Sequence, residues 1–389
     1  MKTQARMRLQ ARQPRSKQQG VALITALIIT AVAVSLATLV ISRQQIQIRL
    51  TGNISALEQT YEYAYGMEDF AGTILKASFE DHPEYDSLND SWYSENGLVL
   101  PITGGVMVGK LYDLQARINV NSLIRPIINV RQQQAQNTSA STTAAATNPD
   151  PANAVAVDTI DIASVAKSRL TDLIRIIDEE QEMGPPENFT AILRDWIDSD
   201  QENGKSDNSL DENDIGNGAE TPYYQSLEPA YYSANTEMIS PTEIRLIKNM
   251  KEEFYKRITD DISTLPITFN NAPTTTPINI NTASENVLLA IGLDQGAVEN
   301  IIETRKEFPF ETIDDFRNSQ LIANNLIPNG VLDPLDLDVK SQYFLLEGKV
   351  EINNTRLFIN SILWRNQSGV VSVIMRDFSN PTTISKAVN

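Results

Sequence analysis

The sequence predicts an α+β protein: a long N-terminal transmembrane helix, an antiparallel sheet domain, and a large all-helical insertion into that sheet. Three observations predict it. Val21 to Ile41 is a run of 21 residues without a charge. No proline occurs between Pro14 and Pro83, so one helix can continue far beyond that run. Strand-like alternation lies near Val106 to Ile118 and again from Tyr343 to Arg376, on either side of a middle with helical periodicity. An insertion is the economical topology for that order.

Composition narrows the function classes. The chain has 389 residues, with 50 acids against 32 Lys and Arg, a formal charge of −18. That balance opposes non-specific nucleic-acid binding, which requires neutralising phosphates. The absence of cysteine excludes disulfides, thiolate metal sites and cysteine nucleophiles, and the one histidine, His82, excludes a multi-histidine centre.

The N-terminal 20 residues carry Lys2, Arg6, Arg8, Arg12, Arg15 and Lys17 and no acid. The apolar run that follows spans roughly 31 Å as a helix, the thickness of a hydrocarbon core. Basic residues before it and a long body after it predict a single N-in, C-out span. A cleaved secretory signal would have a shorter apolar region and an A-x-A-like end, which Leu-Val-Ile-Ser-Arg43 does not offer. Gln-Gln-Gly20 stands directly before Val21, and this boundary resembles a type IV prepilin leader. The resemblance implies a prepilin peptidase that cuts between Gly20 and Val21 and methylates the new amine of Val21. Most pilins and pseudopilins carry Glu at the fifth mature position; here it is Thr25. A carboxylate in lipid is costly, about 2.5–3.5 kcal/mol for Asp on insertion scales. In those families it is tolerated because it pairs with a neighbouring subunit's amine, so a subunit without it resembles one placed at the tip.

Beyond the span, Ile54, Leu57, Tyr61, Tyr65, Ala71 and Leu75 keep helical spacing, predicting helix to about residue 77. Residues 131–158 are rich in Gln, Ser, Thr, Ala, Asn and Pro, a composition that predicts disorder. Helices are predicted over Ile160–Ile177, Phe189–Trp196 and Glu243–Ile262 from their apolar periodicity. The C-terminal strands are Tyr343–Ile352, Thr355–Trp364 and Val370–Arg376, with turns at Asn353-Asn354 and Gln367-Ser-Gly369.

Asp195 to Glu220 is the most chemical-looking segment, with nine acids and one base, Lys205. Carboxylates this dense are either extended in water or neutralised by a cation, and an all-oxygen donor set suits Ca²⁺. The spacing is not an EF-hand: counted from Asp198, the glycine falls seventh, at Gly204, and Ser209 stands twelfth. Taken alone, these residues fit both a solvated acidic loop and a calcium site.

Asn279 to Phe316 resembles a helix-hairpin-helix unit. Its hairpin, Ile291-Gly-Leu-Asp294, places an acid where DNA-binding versions carry a second glycine, and residues 279–317 hold eight acids and three bases. DNA binding is not expected. Asn281, with Thr282 as capping hydroxyl and Glu285 three residues on, predicts the helix start.

Asp195-Trp-Ile-Asp-Ser-Asp200, Asn217-Gly-Ala-Glu220 and Tyr223-Tyr224 together resemble the Asp-Trp-Ile-Asp-x-Asp … Gly-Ala-Glu … Tyr-Tyr block of the general secretion pathway protein K family, minor pseudopilins of type II secretion. With the leader and the missing Glu, the resemblance extends over nearly the whole chain. It implies a pseudopilin-type sheet domain with a SAM-like helical insertion and a non-enzymatic role in initiating and capping a periplasmic pseudopilus. It also implies minor-pseudopilin partners of the I and J types, met chiefly through the N-terminal helix, and an inner-membrane location. Structural calcium is implied at Asp198, Asp200 and Glu220, with Asn217, Gly218, Asp207, Asp211 and Asp214 as further candidates. The domain boundaries expected are leader 1–20, span 21–41, periplasmic helix 42–77, first sheet part 78–130, insertion 131–158, helical insertion 159–330 and C-terminal strands 331–389. The rival readings are a minor pilin of a type IV pilus and a membrane-anchored hydrolase using Asp198 and Asp200.

Overall fold

The computed structural model describes residues 19–124, 128–129, 159–160, 162–178, 184–203, 217–269, 272–273, 276–318 and 336–379. Most of the leader, the 131–158 insertion, and Asp207, Asp211 and Asp214 lie outside the described residues.

Helix α1 runs unbroken from Gln19 to Asp81, 63 residues. Its two halves have opposite surroundings. Every residue from Val21 to Ser55 is exposed. From Ala56 on, one face is buried: Ala56, Thr60, Ala64, Met67, Ala71, Leu75 and Ser78 recur at three- and four-residue intervals. That face packs on a five-stranded antiparallel sheet with strands in the order β1 (Leu98–Ile102), β2 (Gly105–Asp113), β3 (Tyr343–Ile352), β4 (Thr355–Arg365) and β5 (Val371–Asp377). Gly109 and Gly348 are register partners on β2 and β3, and a Cβ on either would come within 3 Å of the Met67 sulfur. Paired glycines thus let helix and sheet approach closely. Glu68, buried on α1, receives Arg376 of β5 through two N–H donors and so ties the helix to the sheet edge.

The insertion leaves the sheet after Asp113 and returns at Tyr343. Asp113 is the register partner of Phe344, so exit and re-entry are neighbours on paired strands. Between them lies a separate apolar core. It gathers α2 (Ile162–Asp178), α3 (Phe189–Ile197), α4 (Thr221–Gln225), α5 (Glu252–Ile258), α6 (Glu285–Ala290), α7 (Gln295–Glu307) and α8 (Ile313–Asn318).

Several local expectations are corrected. The middle is not purely helical: two-residue parallel pairs join Ile118–Asn119 to Ile262–Ser263 and Ile278–Asn279 to Leu337–Asp338. The sheet does not extend to Ile118, because Asp113 turns its carboxylate back to accept the Gln115 N–H and caps a 3₁₀ turn. Ile118, Val120 and Leu123 then join the insertion core rather than the sheet domain. The helix expected over 243–262 is broken. Ser240 and Glu243 form a capping box that starts a 3₁₀ turn at Pro241–Leu246, and Asn249 adopts a left-handed φ of 58° before α5 begins. The apolar positions Ile244, Ile247, Phe254 and Ile258 are still buried.

The seam between the two bodies is a buried polar junction. Asp113 Oδ2 accepts from the hydroxyls of Ser341 (2.6 Å) and Thr282 (2.5 Å) and from Asn279 Nδ2 (3.3 Å). Asp86 accepts the Ser341 N–H and pairs with Arg365, both side chains 1% exposed. The Arg365 guanidinium also donates to the carbonyls of Ser341 and Leu75. Thr282 is therefore not the helix cap; its hydroxyl is drawn to the buried Asp113, and Ser284 caps α6 by accepting the Val287 N–H.

Candidate metal centre

Helix α3 is nearly all buried: Phe189, Ala191, Ile192, Leu193, Trp196 and Ile197 anchor it in the insertion core. This fixes the direction in which the chain leaves it. Asp198 is the residue that ends α3, in extended conformation, and Asp200 follows. The second half of the site is a strap, residues 217–220. It is held by the Gly218 N–H donating to Asn203 Oδ1 (2.8 Å) and by the Lys248 ammonium reaching the Gly218 carbonyl (3.4 Å). Edge-to-face packing of Trp196 on Tyr224, with ring centroids 5.0 Å apart, joins the helix to the chain just after the strap.

These supports bring Asp198, Asp200 and Glu220 together, one carboxylate oxygen of each lying within 4.8 Å of the others. Asp198 is 8% and Glu220 4% exposed, and among the described residues neither carboxylate receives a hydrogen bond on either oxygen. Buried acceptors are ordinarily satisfied, so four orphaned oxygens in one place call for a donor or a cation. Local geometry sharpens the case. Asp198 sits at the C-terminal end of a helix, the unfavourable end of the dipole for an anion. Glu220 stands at the N-cap of α4 yet makes no capping bond with its side chain. Asp200 Oδ1 accepts the Glu202 N–H at 2.7 Å.

Burial, then repulsion from Asp200, Asp195 and Glu220, pushes the Asp198 carboxyl up to about 8, against a smaller pull from Arg194. Burial followed by Asp195 and Asp200 pushes Glu220 up to about 7, and the nearby Thr221 N–H, outside hydrogen-bond geometry, offsets a little of this. Both shifts mark carboxylates whose charge lacks a counter-charge. The residues fit a hard divalent cation: the converging ligands are oxygen, and no sulfur or imidazole is among them. Of the further candidates in the strap, Asn217 is exposed and Gly218 is buried.

At the membrane end, the Thr25 hydroxyl donates to the carbonyls of Val21 and Ala22 in its own helix, each at 3.0 Å. It asks nothing of a neighbour. In the hairpin between α6 and α7, Gly292 takes a φ of 96° and the Asp294 carboxylate accepts the Ala297 N–H. The helix end that could receive a phosphate is thus capped by the chain's own acid. Sequence reading missed the junction residues Asp86, Asp113 and Arg365, which no local spacing marks. It counted Asp195 without giving it a role.

A family model described as "Type II secretion system (T2SS), protein K" matches residues 116–267, and a second of the same description matches residues 278–334, together more than half of the chain. The chain belongs to the type II secretion system protein K family. Curated protein K relatives agree. The protein from Aeromonas hydrophila is 26% identical over 92% of this chain and 97% of its own length. That from Pseudomonas aeruginosa is 28% identical over 93% of each. Among solved structures, a chain of the GspK-GspI-GspJ complex of the enterotoxigenic Escherichia coli type 2 secretion system superposes with a TM-score of 0.62 at 21% identity. The match covers 85% of this chain and 99% of that one, which establishes the shared fold. As a protein K family member the chain is a minor pseudopilin of type II secretion, a structural component of that machinery, and α1 is the helix long and apolar enough to anchor it in a membrane.

Proposed function

We propose that this minor pseudopilin acts at the tip of a periplasmic pseudopilus, where it initiates assembly with minor pseudopilins of the I and J types and catalyses no reaction. The observation that carries the reading is the contrast along α1. Its second half is buried against its own sheet, whereas Val21 to Ser55 packs on nothing among the described residues. A stripe of exposed apolar residues, Ile46, Leu50, Ile54 and Leu57, continues beyond the span at helical spacing. That surface suits the helices of partner subunits, and the solved structure of similar fold is a complex of GspK with GspI and GspJ. Thr25, satisfied by its own helix, supports a position with no subunit above it to pair with, and the bulk of the insertion supports the same placement by obstructing another layer.

The basic leader supports an orientation with the body in the periplasm and the span in the inner membrane. Prepilin peptidase would cut between Gly20 and Val21 and methylate Val21. Calcium is proposed at Asp198, Asp200 and Glu220, with Asn217 beside it, as a structural ion. When bound it would supply the positive charge these buried carboxylates lack and join the end of α3 to the 217–220 strap.

Intact-mass measurement and N-terminal sequencing of the membrane-extracted protein test the pseudopilin maturation. The expected chain starts at methylated Val21. A chain that starts at Met1, or one cut after Ile41, would overturn it. Co-purification of I- and J-type partners with the mature chain, lost on Leu50→Glu with Leu57→Glu, tests the helix surface.

A further inference from the structure

The motif contains an acid to which the calcium reading assigns no role, Asp195, and a glycine for which it offers only a carbonyl oxygen, Gly218. Asp195 lies one helical turn before Asp198 on α3 and is fully buried. It is outside the group of three acids whose oxygens converge. Gly218 lies two residues before Glu220. A Cβ built on Gly218 would stand 1.8 Å from Asp195 Oδ2, 2.4 Å from its Cγ and 2.8 Å from Oδ1. A side chain there requires the strap or the Asp195 carboxylate to move. Gly218 does not use a positive φ, so the requirement is for space and not for an unusual backbone conformation.

We propose that Gly218 and Asp195 form the clasp that positions the metal centre: the strap lies directly on the Asp195 carboxylate, and this contact sets Glu220 opposite Asp198 and Asp200. The proposal rests on the calcium reading above. Asp195 is fully buried on α3, which opposes any movement of its carboxylate. Any residue larger than glycine at 218 must lift the strap by roughly 1.5 Å to regain ordinary van der Waals separation. Calcium–oxygen bonds span about 2.3–2.6 Å, so a lift of that size detaches a ligand carried two residues away. The two anchors that hold the strap, Asn203 on the Gly218 N–H and Lys248 on its carbonyl, act on the same residue and would be displaced with it. Asp195 is therefore a positioning residue, and its contact with Gly218 is needed where its charge is not.

The test is calorimetric titration of CaCl₂ into the full chain in detergent, stripped of metal with EGTA and dialysed, with melting curves recorded with and without calcium. Gly218→Ala is expected to bind calcium at least tenfold more weakly than wild type and to lose most of the calcium-induced rise in melting temperature. Its melting temperature in EGTA should stay within a few degrees of wild type. Asp195→Asn keeps the shape of the contact and is expected to bind within about fivefold of wild type. Wild-type affinity in Gly218→Ala would overturn the clasp. A loss of tenfold or more in Asp195→Asn would overturn the positioning role and make Asp195 a ligand. If Gly218→Ala fails to fold in EGTA, Asp195→Ala, which removes the carboxylate from the contact, is read in its place, and wild-type calcium affinity in it would overturn the clasp. A wild-type chain that takes up no calcium would instead overturn the calcium reading itself, and the clasp with it.

Discussion

Two clusters of buried acids in this molecule have opposite partnerships. At the junction, Asp113 receives three side-chain donors and the Gln115 N–H, and Asp86 faces the guanidinium of Arg365. One oxygen of Asp86 alone is left without a hydrogen bond. At the end of α3, both oxygens of Asp198 and both of Glu220 have none. Burial is similar in the two places. The junction is completed by the chain's own donors, so it behaves as internal glue between the sheet and the insertion. Among the described residues nothing completes Asp198 and Glu220, and this is what sets the proposed calcium site apart from the junction network.

The comparison can be broken most severely at the junction. Arg365→Met would leave Asp86 buried without its counter-charge, and removing one partner of a buried pair costs about 3–5 kcal/mol. Urea denaturation at saturating calcium should show a loss of that size, and a loss below 1 kcal/mol would mean that the junction does not hold the two bodies together. Calcium removal comes next. At a free calcium level 100 times the dissociation constant, binding contributes about 2.7 kcal/mol, which EGTA should abolish. Hydrogen exchange should then rise in residues 195–203 and 217–225 and stay unchanged in β3 and at Ser341.

The two clusters should also answer pH with opposite sign. Burial pushes Asp113 up to about 6 from an ordinary 3.8, its hydroxyl donors only partly opposing this. A carboxyl with a raised folded value binds its proton more tightly when folded. Its contribution is therefore full below about pH 4 and is lost as pH rises through about 6, at most about 3 kcal/mol. The difference in urea midpoint between wild type and Asp113→Asn, measured from pH 4 to 7.5, should follow that course; a flat difference would refute it. At the triad, calcium must displace protons from Asp198 and Glu220, so calcium affinity should tighten as pH rises from 6 to 8. The smallest effect is expected of Thr282→Val. It removes one of the four donors to Asp113 and should cost about 1 kcal/mol in the same denaturation assay.

What could be read in the sequence follows the range of the interactions concerned. The strands at 343–352 and 355–365 were legible because alternation and turn residues are local, down to Asn353 with its φ of 52° and Gly369 with 80°. The expected helix over 243–262 failed for another local reason: the apolar spacing was correct, but the Ser240–Glu243 capping box and the left-handed Asn249 divide it into a 3₁₀ turn and the short helix α5. Thr282 was misread as a cap because its true partner, Asp113, is 169 residues away. Arg365 and Asp86, 279 residues apart, carry no spacing at all that could have announced them.

The sequence by itself determined the apolar run of the N-terminal helix, the basic segment before it with Gly20 next to Val21, the absence of a carboxylate at Thr25, and the density of acids from Asp195 to Glu220. These are properties of composition and short-range order, set by what lipid and water each tolerate. Only the tertiary structure decided which acids converge and which are satisfied. Convergence depends on the direction in which α3 ends, on the close approach that Gly218 permits, and on donors brought from distant segments. The free energy of a buried charge is set by its neighbours in space, and chain folding alone selects those.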